Sequence, residues 1–398
     1  MKKILSFICI ITTLLIGCTD TKDISLSQSE KIEDFKYLYK VIEEGYPYLE
    51  VNKRVNNVDW LANKEKYLER IKNTKNDEEF ISEMTSILSD LNNGHTHTIN
   101  DESIYEFFKE IYTDSGEFDF LEDEKVVDRY KSIGTTSENN KSPIVKKDVT
   151  VKDVIKNKVG YMHLPQMYIN EEDIKFDMEI IGEYINTLEN HQALIIDIRG
   201  NSGGNDAYWR NIVKKLITED ITSTGYVLAR YKNEVMINYY DKLGLSFQNI
   251  NKLPKEVLEN APEEVTKDFN LFFESKLTIP SDKTSKFKGN IYLLVDDIVY
   301  SSAESFAIFC KQTGFATLIG ERTGGDGGGV TPILFNLENS GLIVRMTTDM
   351  FLTGDGVCNE EFKTTPDYEV VDVKRRESIE DDKCIQKVLE LEKIKGEI

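Results

Sequence analysis

This sequence lacks an excess of positive charge. Its 398 residues carry 49 lysines and arginines against 70 aspartates and glutamates, a formal charge of -21. Binding to nucleic acid depends on neutralising phosphates, and docking on anionic lipid by charge depends on basic patches, so both partner classes are disfavoured. Apart from residues 4–16 there is no long apolar run, and that one is too short for a comfortable membrane span. Five cysteines, widely spaced and without a Cys-x-x-Cys pair, give neither a disulfide framework nor a cysteine zinc site. Histidine is rarer still, with four in the whole chain and no His-Glu-x-x-His, so any histidine chemistry has few candidates. What remains, 40% apolar and 30% charged residues, is the composition of a soluble globular protein with a substantial core.

The N-terminus reads as a targeting signal. Lys2 and Lys3 precede the apolar run, which ends in Leu15-Ile16-Gly17-Cys18. This resembles a bacterial lipobox, which implies cleavage after Gly17, lipidation of Cys18 and a domain held at the extracytoplasmic face of the cell membrane. Residues 19–29 are polar and suit a flexible tether. Cys310, Cys358 and Cys384 then remain as unpaired or buried thiols, with the pairing of any two left open.

Three helical patterns follow. Phe35, Leu38, Tyr39 and Ile42 recur at helical spacing until Gly45 and Pro47; a second run begins after Asp59; a third, with Phe80, Ile81, Met84, Ile87, Leu88 and Leu91, begins near Asn76 or Asp77. Residues 30–92 are therefore expected to form a small helical layer that ends at Asn92-Asn93-Gly94. Residues 100–157 are acidic, then polar and loop-like. Beyond them strands and helices alternate: strands at 159–164, 193–198 and 225–231, helices at about 171–188 and after residue 205. Residues 232–289 read as a long, mostly polar excursion with helical patches, a lid or substrate-facing insertion. A strand at 291–295, a helix after Tyr300, strands near 331–335, 342–347 and 368–373, and a charged helical tail complete the pattern.

Three places carry chemistry. Tyr300-Ser301-Ser302-Ala303-Glu304 follows a strand and opens a helix, which suits a nucleophile beside free N–H groups. The same residues also read as a Ser-x-x-Glu capping box. Arg199-Gly200-Asn201-Ser202-Gly203-Gly204 closes a buried strand, and its paired glycines let backbone N–H groups approach a substrate oxygen, though a plain tight turn would look the same. His95 and His97 alternate along a short strand and suit a catalytic base, a metal pair or an ordinary polar strand. Residues 324–329 are glycine-rich but lack the Gly-Lys-Ser/Thr of a phosphate loop, which rules out nucleotide binding there.

Taken in order, Gly-His-Thr at 94–96, Asp-Ile-Arg-Gly-Asn-Ser-Gly-Gly at 197–204, Tyr-Ser-Ser-Ala-Glu at 300–304, Gly-Glu-Arg-Thr-Gly-Gly at 320–325 and a glutamate ahead of Thr365-Pro366-Asp367 resemble the carboxyl-terminal processing protease superfamily, closest to its tricorn-core and retinoid-binding-protein-like branch. The resemblance spans roughly residues 31–373. It implies an α/β fold with a crotonase-like core of mixed β-sheet and ββα units, and a serine peptidase core at 93–373 between the helical layer and a tail at 374–398. It implies Ser301 as nucleophile, His95 as base, Glu360 as the orienting acid with Glu361 second, and oxyanion N–H groups from Ser302 and from Gly203 or Gly204. It implies a peptide or protein substrate and neither metal nor organic cofactor. Three departures stand out. Asp326 occupies the place of the lysine in the Ser-Lys branch, Gly94 replaces a serine beside the histidine, and residues 100–158 are too short and irregular for a PDZ module. The expected activity is that of a lipid-anchored serine endopeptidase or carboxyl-terminal peptidase. The rivals are a degenerate ligand- or peptide-binding protein on the same fold and a metal-dependent hydrolase using His95 and His97.

Overall fold

The computed structural model describes residues 25–112, 118–135, 149–230 and 232–394. Cys18, the signal segment and most of the tether lie outside them, as does most of the polar stretch before residue 149.

The helical layer forms where the apolar spacing demands it. Helix Gln28–Gly45 starts at a Ser27–Glu30 capping box, and helix Asp77–Ser89 starts at Asn76, whose side chain accepts from the Glu79 N–H at 2.8 Å. Between them lie Leu49–Asn56 and Lys64–Lys72. The first of these restarts the helix just past Gly45 and Pro47, which in sequence read only as a stop. Trp60 locks the layer: its ring stacks on Tyr39, and its indole N–H donates to Ile87 O at 2.9 Å.

Strands are numbered in chain order: β1 (His97–Thr98), β2 (Thr150–Ile155), β3 (Val159–His163), β4 (Ala193–Asp197), β5 (Ile221–Ala229), β6 (Gln248–Asn249) and β7 (Leu271–Ile279). The series continues with β8 (Asn290–Val295), β9 (Thr317–Gly320), β10 (Ile333–Asn336), β11 (Ile343–Met346), β12 (Asp349–Thr353) and β13 (Tyr368–Glu369). They make a six-stranded sheet in the order β13-β9-β8-β4-β3-β2, a four-stranded sheet β12-β5-β7-β6 and a three-stranded sheet β1-β11-β10. In the large sheet only the β2–β3 pair is antiparallel. Strands β3 and β4 are buried throughout, as continuous apolar runs in a covered sheet should be. The fold is thus a mixed α/β architecture. Between β1 and β2 the described residues hold the helices Glu102–Tyr112 and Glu124–Ile133 and no strand.

One region differs from expectation. Residues 232–289 hold the expected helical patches, Glu234–Lys242, Lys255–Leu258 and Val265–Asp268, but also a long strand: β7 pairs with β5 along all nine residues and alternates exposed and covered positions. Its polar residues face outward from a half-covered sheet, so in sequence they mimic a loop. The expected helical tail is present and packs into the fold. Helix Lys383–Leu391 lays Cys384, Ile385, Val388 and Leu389 against the large sheet. Its N-cap Asp382 binds Arg199, which also grips Asp197 at the end of β4, so a buried ion network anchors the strand that leads to the glycine loop. Cys310, Cys358 and Cys384 are free and buried.

Candidate active site

Strands β4 and β8 are hydrogen-bonded parallel neighbours, so the loops at their carboxyl ends emerge side by side. That adjacency brings the glycine loop at 200–204 to the serine turn at 300–302. Ser301 sits between β8 and the helix Ser302–Thr313 with φ 56° and ψ -122°. A residue other than glycine at positive φ costs of order 1–3 kcal/mol and persists only where its surroundings hold it. Here the Ser301 N–H donates to Gly325 O at 3.2 Å, and the Gly324 N–H donates to Val299 O at 2.7 Å.

The capping box does not form. Ser301 caps nothing with its side chain, and Glu304 is fully buried on Asn359 Nδ2 and Thr364 Oγ1, each at 2.6 Å. Burial pushes the Glu304 carboxyl up, against the pull of its Thr323, Thr364 and Asn359 hydrogen bonds. The serine hydroxyl is left to the cavity, as at strand–turn–helix nucleophile sites.

Both paired glycines are required by contact. A Cβ on Gly203, at φ 106°, would lie 2.8 Å from Tyr300 O and 2.9 Å from both Ser301 Cβ and Ser302 N. One on Gly204 would lie 1.4 Å from Met167 O. The Gly203 N–H already donates to Asn201 Oδ1 at 2.9 Å. Among the described residues neither Gly204 N–H nor Ser302 N–H has a protein acceptor. Of the two glycines, Gly204 is the one whose donor remains available.

His95 reaches the site from the other side, on the segment between the helical layer and β1. Its Nδ1–H donates to Asp326 Oδ2 at 2.8 Å, and both side chains are buried. The carboxylate on the imidazole is therefore that of Asp326, where the sequence pattern had pointed to Glu360. Asn93 is the hub. It accepts from the His95 N–H and from Thr96 Oγ1, and its Nδ2 donates to Asp326 Oδ2 at 2.8 Å and to Glu360 Oε1 at 3.1 Å. Tyr300 Oη donates to Asp326 Oδ2 at 3.1 Å and accepts from the Gly94 N–H at 3.1 Å. A side chain at position 94 would meet the Tyr300 ring at 3.2 Å, so the absence of serine there goes with the presence of this tyrosine.

The two acids in this cluster behave differently. Burial would raise Asp326, but the His95 charge and hydrogen bonds from His95, Asn93 and Tyr300 outweigh it and hold the carboxyl below its ordinary range. Glu360 is raised, first by burial and then by the Asp326 charge, against the pull of Lys363 at 2.7 Å. Glu361 lies away from the imidazole, paired with Arg54 at 2.6 Å. His97 also diverges from His95: its Nδ1–H donates to Gly94 O at 3.1 Å, and burial and nearby Arg345 push it down to about 4. Among the described residues no three His, Cys, Asp or Glu side chains are grouped to hold a metal ion.

Asp326 is the residue that motif reading passed over, treating it as a missing lysine. The available signal was its isolation, one charge in a run of glycines. That run wraps the start of the serine helix: Gly325 holds Ser301, Asp326 turns inward at φ 50°, and the Gly328 N–H donates to Ser305 Oγ at 2.9 Å. One cavity of about 490 Å³ is lined by Ser301, Ser302, Gly204, His95 and Asp326 together.

Residues 158–370, more than half of the chain, match the model of peptidase family S41. The chain belongs to that family. Membership makes it a peptidase of the carboxyl-terminal processing protease superfamily at the level of class. The matched stretch contains Ser301, Asp326 and Glu360 and begins after His95. Among solved structures the family member resembles a candidate peptidase from Parabacteroides merdae (TM-score 0.59, 19% identity, 92% of this chain and 98% of that one). It also resembles mature CPAF complexed with lactacystin (TM-score 0.57, 12% identity, 92% and 98%). At these identities the likeness speaks for the fold. No curated protein sequence matches the chain.

Proposed function

We propose that this S41 member is a serine endopeptidase or carboxyl-terminal peptidase in which Ser301 is the nucleophile, His95 the general base and Asp326 the acid that orients the base. Ser301 Oγ attacks the scissile carbonyl while the imidazole takes its proton, and Asp326 holds Nδ1–H and stabilises the imidazolium. The tetrahedral oxyanion is received by the N–H groups of Ser302 and Gly204, each contributing roughly 3–4 kcal/mol. The protonated imidazole then passes its proton to the leaving amine, and water releases the acyl group with His95 again as base. Glu360 takes a supporting role, sharing Asn93 with Asp326.

The observation that carries this reading is the pairing of an uncapped serine at positive φ with a histidine held by a buried carboxylate, all opening on one cavity. A fluorophosphonate probe is expected to label the wild-type protein and to leave Ser301→Ala unlabelled. An unlabelled wild type under all conditions would overturn the reading.

The same proposal places the protein at the extracytoplasmic face of the membrane by a lipid on Cys18, on the strength of the Leu15–Cys18 motif. Incorporation of an alkyne fatty acid that is lost in Cys18→Ser supports the anchor. Equal incorporation in both removes it.

A further inference from the structure

The cavity that holds Ser301 and His95 also holds an arginine for which the proposed triad has no use. Arg345 lies on β11, opposite His97 of β1 and Leu334 of β10 in the strand register. Its Nε is sealed from solvent without a hydrogen-bond partner, while the residue as a whole stays partly exposed and lines the cavity. Among the described residues it has no carboxylate partner, and its guanidinium lies 5.7 Å from the centre of the Phe108 ring. The carboxylate whose charge acts on it is Asp326, which is engaged by His95. Burial therefore works against the Arg345 charge, yet a guanidinium stays protonated. A half-sealed cation without a counter-ion is costly unless something else supplies the anion. The same cavity is lined by the apolar side chains of Ile111, Leu243, Val330 and Pro332 among polar ones. Among the described residues lining this cavity Arg345 is the one lysine or arginine, a selective feature in a protein of formal charge -21.

We propose that Arg345 binds a carboxylate of the substrate, supplied either by the peptide's own C-terminus or by an aspartate or glutamate side chain near the cleaved bond. The planar guanidinium fork matches a carboxylate in two parallel hydrogen bonds, and the cavity's apolar side chains take the neighbouring side chain. This rests on the peptidase reading given above, which supplies the bond to be cut.

The test uses three dansyl-labelled hexapeptide pools of mixed neutral residues: one amidated, one with a free C-terminus, and one amidated with a single glutamate placed at each position in turn. Cleavage by the wild-type protein and equilibrium binding to Ser301→Ala are both measured. One carboxylate-bearing pool is expected to be cut and bound about tenfold or more better than the neutral amidated pool. A free-acid preference identifies the C-terminus as the source, and a glutamate preference identifies the side chain. Arg345→Met should bring the favoured pool to within about twofold of the neutral one, and Arg345→Lys should keep part of the preference. Equal treatment of all three pools by the wild-type protein, whether all bind or none, overturns the assignment. Failure of fluorophosphonate labelling would instead remove the peptidase reading and leave the binding preference to decide the role of Arg345.

Discussion

The two halves of the site are held together by different forces. On the serine side, Ser301 and Gly204 leave the ends of adjacent parallel strands, so the register of β4 on β8 fixes their separation through backbone hydrogen bonds. On the histidine side, His95 comes from a short segment between the helical layer and the three-stranded sheet. Side-chain hydrogen bonds through Asn93, Asp326 and Tyr300 join it to the serine half. The serine half is a consequence of the fold, whereas the histidine half is an added assembly whose alignment depends on a few buried polar groups. Damage to the backbone of the first half should therefore cost stability together with activity, and damage to the second should cost activity first.

The largest expected effect is loss of the nucleophile itself. Ser301→Ala should lower kcat by roughly 10⁴–10⁶-fold with little change in thermal midpoint, measured on any peptide the wild type cuts. Gly203→Ala comes next and should strike both properties. Its Cβ would press on Tyr300 O and Ser302 N, so a loss of about 2–4 kcal/mol in chemical denaturation is expected, with labelling at Ser301 strongly slowed. Asn93→Ala should lower the labelling rate about 10–100-fold and stability by about 1–3 kcal/mol, because it strips donors from Asp326 and Glu360 at once. If Asn93→Ala lost stability while labelling at the wild-type rate, the contrast between the two halves would be wrong.

The smallest prediction concerns Asp349, which lies at the start of β12 with the Val330 N–H and Thr348 Oγ1 as its donors. Burial raises its carboxyl to about 7. A raised folded-state value means that its contribution is fully present below the ordinary carboxylate range near 4 and is lost as pH climbs through about 7. Wild-type stability should decline over that window. Asp349→Asn should remove the part due to this group, a few kcal/mol at most, seen as a flatter plot of denaturation midpoint against pH. An unchanged slope in the variant would show that Asp349 carries its charge at little cost.

What could be read in the chain follows the same division. The third helix announced itself through Asn76 and its apolar stripe, and β4 through five consecutive covered residues, because both signals are local. The Ser301–Glu304 spacing was equally legible but ambiguous, and tertiary bonds from Asn359 and Thr364 took the glutamate away from the cap. The partner of His95 lies 231 positions away in sequence. No periodicity encodes such a contact, and motif order favoured Glu360, which the folded chain places on the far side of Asn93. Strand β7 stayed hidden because its outward residues are polar, whereas the closing helix was legible as a helix and only its packing on the large sheet was not.

The two carboxylates of the histidine half offer the most direct test of the central claim, that Asp326 rather than Glu360 orients the base. The rate of fluorophosphonate labelling at Ser301 should be measured for Asp326→Asn and Glu360→Gln side by side at neutral pH. The expected result is a fall of about 10³-fold or more for Asp326→Asn, where the imidazole loses its charged partner, and of no more than about tenfold for Glu360→Gln. The reverse order, with Glu360→Gln the more damaging, would contradict the account and return the orienting role to Glu360.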